Sequence, residues 1–406
     1  MRRGIGLGLV LGCLAVTLVL AYGTKAACAS GEWTGQQYTT RCYTDIIPLL
    51  GTEELEGDRL PFLEPCRGTQ PQCDEYPVLT MYAMRVAAWV SDDLVGFFLV
   101  NVALLAIAAL GVVLLLHRTV GDRALYVAAA PTLMAYAYMN WDLFAVVAAT
   151  AASVLALRRR DAWAGILFGI GVAAKLYPGL LLAAFLLERL RERDGRGAGR
   201  LAVGAAGSWL AVNLPFALLA PDGWSRFFRF SAERTADWDS LWFLGCYLRS
   251  GTLGCTDTAL VNTGVAIAFV VSAAVVYALK VRREPDFPRW TFAFPLLALF
   301  LLTGKVYSPQ FSLWLLPLFA LVLPDVSLFL LFSIADVAVF LTRFSWFATY
   351  SGDEGVPLEA FLLSVGARAL VLAACVVVWV LRPAADAAPP SVAPPPRTDR
   401  PDPVPA

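Results

Sequence analysis

Residues 28–82 read CASGEWTGQQYTTRCYTDIIPLLGTEELEGDRLPFLEPCRGTQPQCDEYPVLTMY, the longest polar stretch in a chain otherwise made of apolar runs. It carries four of the eight cysteines, a dense set of carboxylates and two apolar patches, 46–50 and 77–82. A polar segment of this length directly after one apolar run is a folded loop, and the remaining runs form the frame that holds it.

Composition makes that frame a membrane. Hydrophobic residues are 58% of the 406, charged residues only 16%, and the mean hydropathy is +0.65, values that belong to an integral membrane protein. The predicted fold class is therefore all-α and polytopic. The run 4–22 follows Arg2 and Arg3, which predicts an uncleaved anchor with a cytoplasmic N-terminus. Further runs fall at 95–116, 125–139, 143–157, 162–174, 177–187, 201–220, 259–279, 290–303, 311–323, 326–341 and 357–381. That makes about twelve crossings, both ends cytoplasmic, in a domain 1–382. Basic clusters at 158–160, 189–200 and 280–283 all fall on one side, as the positive-inside rule requires. The loops 23–94 and 221–258 then lie outside the plasma membrane, and the Pro/Ala-rich tail 383–406 is predicted to be disordered.

The cysteines give an independent check. Cys28, Cys42, Cys66, Cys73, Cys246 and Cys255 all fall in the two outer loops, where disulfides persist. Short separations favour Cys66–Cys73 and Cys246–Cys255, which leaves Cys28–Cys42, although spacing alone leaves the connectivity open.

Several runs are too short to span. The run 162–174 reaches about 20 Å at 1.5 Å per residue, against a hydrocarbon core of ~30 Å. Basic clusters on both sides of 162–187 demand an even number of crossings, so the chain turns at Lys175-Leu176-Tyr177-Pro178, where the proline disfavours continuing the helix. The same grammar recurs at Lys305-Val306-Tyr307-Ser308-Pro309-Gln310. Only four lysines occur (Lys25, Lys175, Lys280 and Lys305), and two of them occupy these matched turns. A cation at membrane depth is a functional candidate; snorkelling to headgroups is the plain alternative. Asn140-Trp141-Asp142, at the tip of the preceding hairpin, adds a polar point at the same depth, with helix capping by Asp142 as its structural alternative.

Other chemistries are excluded. There is no P-loop, dinucleotide fingerprint or Cys/His metal spacing, and His117 is the only histidine, so neither a metal nor a cofactor nor a nucleic-acid partner is expected. What remains is a membrane enzyme working with carboxylates and cations, a secondary transporter or flippase built on broken helices, or a non-catalytic scaffold.

The motifs Cys42-Tyr43-Thr44-Asp45-Ile46, Glu75-Tyr76-Pro77-Val78-Leu79-Thr80, Asn140-Trp141-Asp142, Ala174-Lys175-Leu176-Tyr177-Pro178 and Tyr307-Ser308-Pro309-Gln310-Phe311, with Trp314-Leu315-Leu316-Pro317, resemble those of the polyprenol-phosphate-sugar-dependent GT-C glycosyltransferases. Among these the chain is most similar to glycosyltransferase family 87, the actinobacterial α-mannosyltransferase-like group. The resemblance implies a GT-C-like bundle, a lipid-phosphate-linked hexose (often mannose) as donor, a lipid or glycan acceptor outside, and no nucleotide-sugar site.

Residue chemistry fits that reading. A cleaved polyprenyl phosphate gains charge, which cations already in place stabilise; Lys175 and Lys305, with Tyr177 and Tyr307, are the expected phosphate ligands. Arg226 and Arg229 in the amphipathic segment 224–230 add cations, with headgroup pairing as the alternative. Asp45, next to the apolar patch 46–50, is the expected general base for an inverting transfer, with Asp74 and Glu75 as runners-up. Glu75, Tyr76, Asn140, Asp142, Gln310 and Arg226 complete the expected substrate site. Glu53, Glu54, Glu56 and Asp58 read as a solvated acidic face.

Overall fold

Apolar runs become helices in a membrane because every backbone polar group must be satisfied within the segment, and four of the long ones begin at a capping carboxylate. In the computed structural model, residues 6–29, 35–68, 73–91, 93–251, 253–255 and 257–384 are described; the expectations for Arg2, Arg3 and nearly all of the tail 383–406 lie outside them. Among the described residues there is no strand.

The order is α1 (Leu7–Ala29), α2 (Gln36–Thr39), α3 (Ile46–Thr52), α4 (Val78–Val90), α5 (Leu94–Val120), α6 (Leu125–Ala128), α7 (Pro131–Tyr136), α8 (Asp142–Leu157), α9 (Asp161–Ala174) and α10 (Pro178–Arg191). It continues with α11 (Gly195–Leu219), α12 (Pro221–Glu233), α13 (Leu241–Ser250), α14 (Thr258–Arg283), α15 (Ala293–Thr303), α16 (Leu316–Leu321), α17 (Val326–Tyr350) and α18 (Leu358–Leu381). Aspartates cap four of the long helices: Asp93, Asp194, Asp257 and Asp325 accept hydrogen bonds from the amides of Gly96, Gly197, Leu260 and Leu328, a preferred arrangement at helix N-termini. Among the described residues, six helices are long and apolar enough to cross a bilayer (α1, α5, α11, α14, α17 and α18), and shorter apolar helices lie between them. The fold is thus an all-α polytopic bundle with several short or broken elements, as the runs predict. The predicted crossing 125–139 is divided into α6 and α7, with Pro131 at the first helical position of α7.

The expected turn at residue 175 is present. Helix α9 stops at Ala174, Lys175 is extended (φ −158°, ψ 143°), and Pro178 opens α10. What holds α9 in place is a seam of small residues. A Cβ on Gly165 would lie 2.4 Å from the Leu201 carbonyl oxygen, and one on Gly169 would lie 2.2 Å from that of Ala205. Backbones of α9 and α11 therefore touch, the packing mode that close-approach glycines permit in membranes.

The polar stretch folds onto the bundle as a loop-rich cap. Cys28–Cys42 and Cys66–Cys73 close within it, and Cys246–Cys255 closes in the second loop. Its interior is not apolar alone. Arg59 and Asp74 form a buried ion pair at 2.9 Å, and Glu53, fully buried, accepts from the amides of Asp74 and Glu75. The solvated acidic face expected for 53–58 is thus corrected at Glu53: its carboxylate is the internal acceptor that ties the two halves of the cap together.

Candidate active site

One register contact places the site. The Asp45 amide donates to the Met139 carbonyl at 2.8 Å, and the Thr44 hydroxyl donates to the Tyr138 carbonyl at 2.7 Å, while Ile46, Ile47 and Leu50 bury the patch behind them. The cap is thereby fastened to the turn between α7 and α8. Asp45 and Asn140, 95 positions apart, come within hydrogen-bond reach: the Asn140 side-chain amide donates to Asp45 Oδ2 at 2.7 Å and to the Tyr76 hydroxyl at 2.7 Å. The Tyr43 hydroxyl donates to Asp45 Oδ1 at 2.8 Å.

These residues line a cavity of about 640 Å³, within the range of small-molecule sites. Asp45, Glu75, Tyr76, Asn140, Lys175, Tyr177, Lys305 and Gln310 all line it. Lys175 Nζ lies 3.2 Å from Asp142 Oδ2 and over the rings of Tyr76 and Phe311, 5.3 Å from each centroid. Asp142 is fully buried and also accepts from the Trp314 indole at 2.6 Å, so its place is behind Lys175, orienting it. The Tyr177 ring stacks on Trp314 at 4.3 Å and forms a flat wall.

Besides Asp142, which is not part of the lining, three expected site residues sit otherwise. Lys305 borders the cavity, but its ammonium donates to the carbonyls of Ala232 and Arg234 at 3.0 and 2.6 Å. Tyr307 lies behind the wall: its hydroxyl meets Ser312 at 3.1 Å, and the Arg368 guanidinium covers its ring at 3.7 Å. Arg226 rests against the Cys66–Cys73 disulfide, 4.0 Å from Asp74, and outside the cavity lining. Among the alternative bases, Asp74 is taken up by Arg59 and Glu75 alone shares the cavity with Asp45.

Two cations went unread in the sequence. Arg234 and Arg343 both line the cavity. Arg343 pairs with Asp239 and lies 4.0 Å from Asp237, and Arg234 lies 3.3 Å from Asp237. A signal for Arg343 existed: α17 continues to Tyr350 rather than ending near 341, which makes Arg343 a charge inside a spanning helix and so a functional candidate.

Electrostatics separate the three carboxyl groups. Burial raises the Asp45 carboxyl above the ordinary aspartate range, opposed by hydrogen bonds from Asn140 and Tyr43 and by the fields of Arg343 and Lys175. Burial pushes Glu75 up to about 7; Arg234 opposes the rise and the neighbouring Asp45 charge adds to it. Burial acts on Asp237 in the same upward sense, yet Arg343 and Arg234 hold it below the usual range. Glu75 is therefore a group able to exchange protons near neutrality, Asp45 is a carboxylate made more basic by burial, and Asp237 is an anion that anchors two arginines.

The apolar wall decides what kind of substrate fits. Phe227 and Phe230 of α12, Val265 of α14 and Phe300 of α15 complete the lining. Helix α14, which lines the cavity through Val265, exposes Leu260, Ile267, Val270 and Val271, an apolar outer face on a helix long enough to cross a bilayer. The cavity thus joins carboxylates and cations at one end to an aromatic and aliphatic wall at the other.

The profile of glycosyltransferase family 87 matches residues 75–303, more than half of the chain. The protein belongs to glycosyltransferase family 87 and is a membrane glycosyltransferase. The matched span contains Glu75, Asn140, Asp142 and Lys175, and it excludes Asp45 and Lys305. Among solved structures, ArnT from Cupriavidus metallidurans bound to undecaprenyl phosphate is similar at 14% identity and a TM-score of 0.45, over 93% of this chain and 77% of that one. A search of curated proteins finds no match.

Proposed function

We propose that the protein transfers a hexose, with mannose the first sugar to test, from a polyprenyl phosphate to a lipid or glycan acceptor on the outer face of the plasma membrane, with inversion and with Asp45 as general base. The observation that carries this reading is the convergence of Asp45 and Lys175 on one cavity that also has an aromatic and aliphatic wall. A long-chain donor reaches such a cavity sideways, leaving its chain along Phe227, Phe230, Val265 and Phe300 and its phosphate beside the cations.

The chemistry then follows. The acceptor hydroxyl oxygen attacks the anomeric carbon from the face opposite the phosphate, its proton passes to Asp45, and the bond from that carbon to the phosphate oxygen breaks. The leaving group changes from a phosphodiester with one charge to a monoester with up to two. Lys175, held by Asp142, and Arg234, held by Asp237, are the preorganised cations that meet this charge, the kind of stabilisation that dominates many rate enhancements. Tyr43 and Asn140 orient Asp45, Tyr76 holds Asn140, and Gln310 and Glu75 face the sugar. The outer placement is supported by the disulfides at this end of the bundle and by basic residues such as Arg158, Arg159 and Arg160 at the other.

The test is transfer by the purified protein from radiolabelled polyprenyl-phosphate mannose, with glucose and other hexoses in parallel, into extracted lipid and glycan acceptors. Loss of counts from the donor into a product of inverted configuration is expected. Movement of the intact donor across vesicle membranes, with no product, would replace the transferase reading with transport.

A further inference from the structure

We propose a second, unassigned ligand site at the end of the bundle far from Asp45: an anion pocket that takes the phosphate of an anionic membrane lipid through Arg123 and Arg382. A cavity of about 300 Å³ lies there, walled by Arg123, Val322, Leu323, Pro324, Trp379 and Arg382. It is separate from the candidate active site. Helix α17 starts beside it at Val326 and reaches Arg343 17 residues later, about 26 Å at 1.5 Å per residue.

The charge inside this pocket does not balance. Arg382 is met by Asp325 at 2.6 Å, and Asp325 is already committed to capping α17 through the Leu328 amide. Arg123 has a buried Nη1 with no hydrogen-bond partner among the described residues. A buried donor on a charged group left unpaired carries a desolvation penalty, and an anion in the cavity removes it. Guanidinium groups suit phosphate because their planar fork of N–H donors matches its oxygens.

The rim is held ready. Lys280 Nζ donates to the Arg382 carbonyl at 2.6 Å and pairs with Glu284 at 2.7 Å, and Glu284 accepts from the Ala384 amide at 3.0 Å. The nearby carboxylate Glu284 is therefore spent on Lys280 and the Ala384 amide and, among the described residues, leaves the positive charge of Arg123 and Arg382 to Asp325 alone. Val322, Leu323 and the buried Trp379 ring give the pocket an apolar back, which suits a phosphate ester with a hydrocarbon part better than a free ion. Basic pockets between membrane helices on the positively charged side bind lipid headgroups in this way. Arg118, Arg158 and Arg282 are exposed around the same end, and they supply the attraction that gathers anionic lipid there.

The experiment uses the full chain, stripped of lipid in neutral detergent, with binding read by native mass spectrometry and by the thermal unfolding midpoint. Short-chain phosphatidylglycerol is titrated against short-chain phosphatidylcholine and inorganic phosphate. Phosphatidylglycerol is expected to bind and to raise the midpoint, and phosphatidylcholine to do neither. Arg123→Gln should weaken that binding by about tenfold or more, the scale of one lost charge-assisted hydrogen bond, with Arg123→Lys intermediate. Arg118→Gln, which removes an exposed charge from the same region, should change little. Equal binding by wild type and Arg123→Gln overturns the proposal, as does equal loss in Arg118→Gln. Inorganic phosphate binding as tightly as the lipid, and lost in Arg123→Gln, would assign the same anion site to a soluble phosphate.

Discussion

The two Lys-x-Tyr turns look alike in the sequence and differ in the fold. At the first, Lys175 emerges from a helix end on an extended residue, touches one buried carboxylate and faces the cavity between two rings. At the second, Lys305 turns back to hold the carbonyls of Ala232 and Arg234, and the Lys305 carbonyl accepts from the Asp237 amide at 2.8 Å. Tyr177 is part of the cavity wall, whereas Tyr307 is locked beneath Arg368 in a buried network with Ser312 and Asp336. One turn presents its cation to the cavity, and the other uses its cation to tie the second loop down beside it. A lysine's role is set by the acceptors within its reach, which the residues flanking it in sequence do not specify.

Four experiments bear on this contrast. The largest effect is expected at the carboxylate that both turns surround. Asp45→Asn keeps the Tyr43 and Asn140 contacts in shape but cannot accept a proton, and turnover should fall by ~10²–10⁴ with donor binding retained. Turnover above half of wild type would move the base to Glu75.

Next comes the first turn. Lys175→Ala should lower turnover by about 10²–10³, the scale of one preorganised electrostatic contact, in a protein that still folds. Lys175→Arg should recover only part of the loss, because the planar fork does not reproduce a point charge between two rings.

Lys305→Ala sharpens the comparison from the other side. It removes two hydrogen bonds to carbonyls, so the expected loss is in stability, about 1–3 kcal/mol, read as a lowered unfolding midpoint, with turnover reduced only several-fold. If Lys305→Ala matches Lys175→Ala in turnover at unchanged stability, the two turns are equivalent and the contrast fails.

The smallest effect is one of pH. Glu75, raised to about 7, is neutral below that pH and anionic above it. As pH climbs through 7 its new charge should repel the donor phosphate, and the donor KM should rise by a few fold. Glu75→Gln is neutral throughout and should flatten that part of the profile. A wild-type KM that is flat from pH 6 to 8 would remove Glu75 from the phosphate's surroundings.

Much of this architecture was legible. Hydropathy marks the spans, Pro178 and Pro309 mark the turns, and the confinement of six cysteines to two loops marks one face, because each of these signals is carried by consecutive residues or by composition. The carboxylate cluster was misread at Glu53 because burial of a charge depends on finding two amides, those of Asp74 and Glu75, more than 20 positions away. Arg343 was overlooked because the run was ended at 341 while α17 continues to Tyr350, and Arg368 as a single charge inside the run 357–381, although an arginine in a span is itself a signal.

What the sequence by itself determined is the all-α membrane class, the apolar runs that become its helices, the break at residue 175 and the two cysteine-bearing polar loops. Only the tertiary structure decided which lysine faces the cavity, that Asp45 meets Asn140 across 95 positions, and that Arg234 and Arg343 stand beside them. The physical reason is range. Helix formation and membrane partition are settled within about 20 residues, whereas the state of a charged group is settled by whichever acceptors and rings the whole fold brings within a few ångströms.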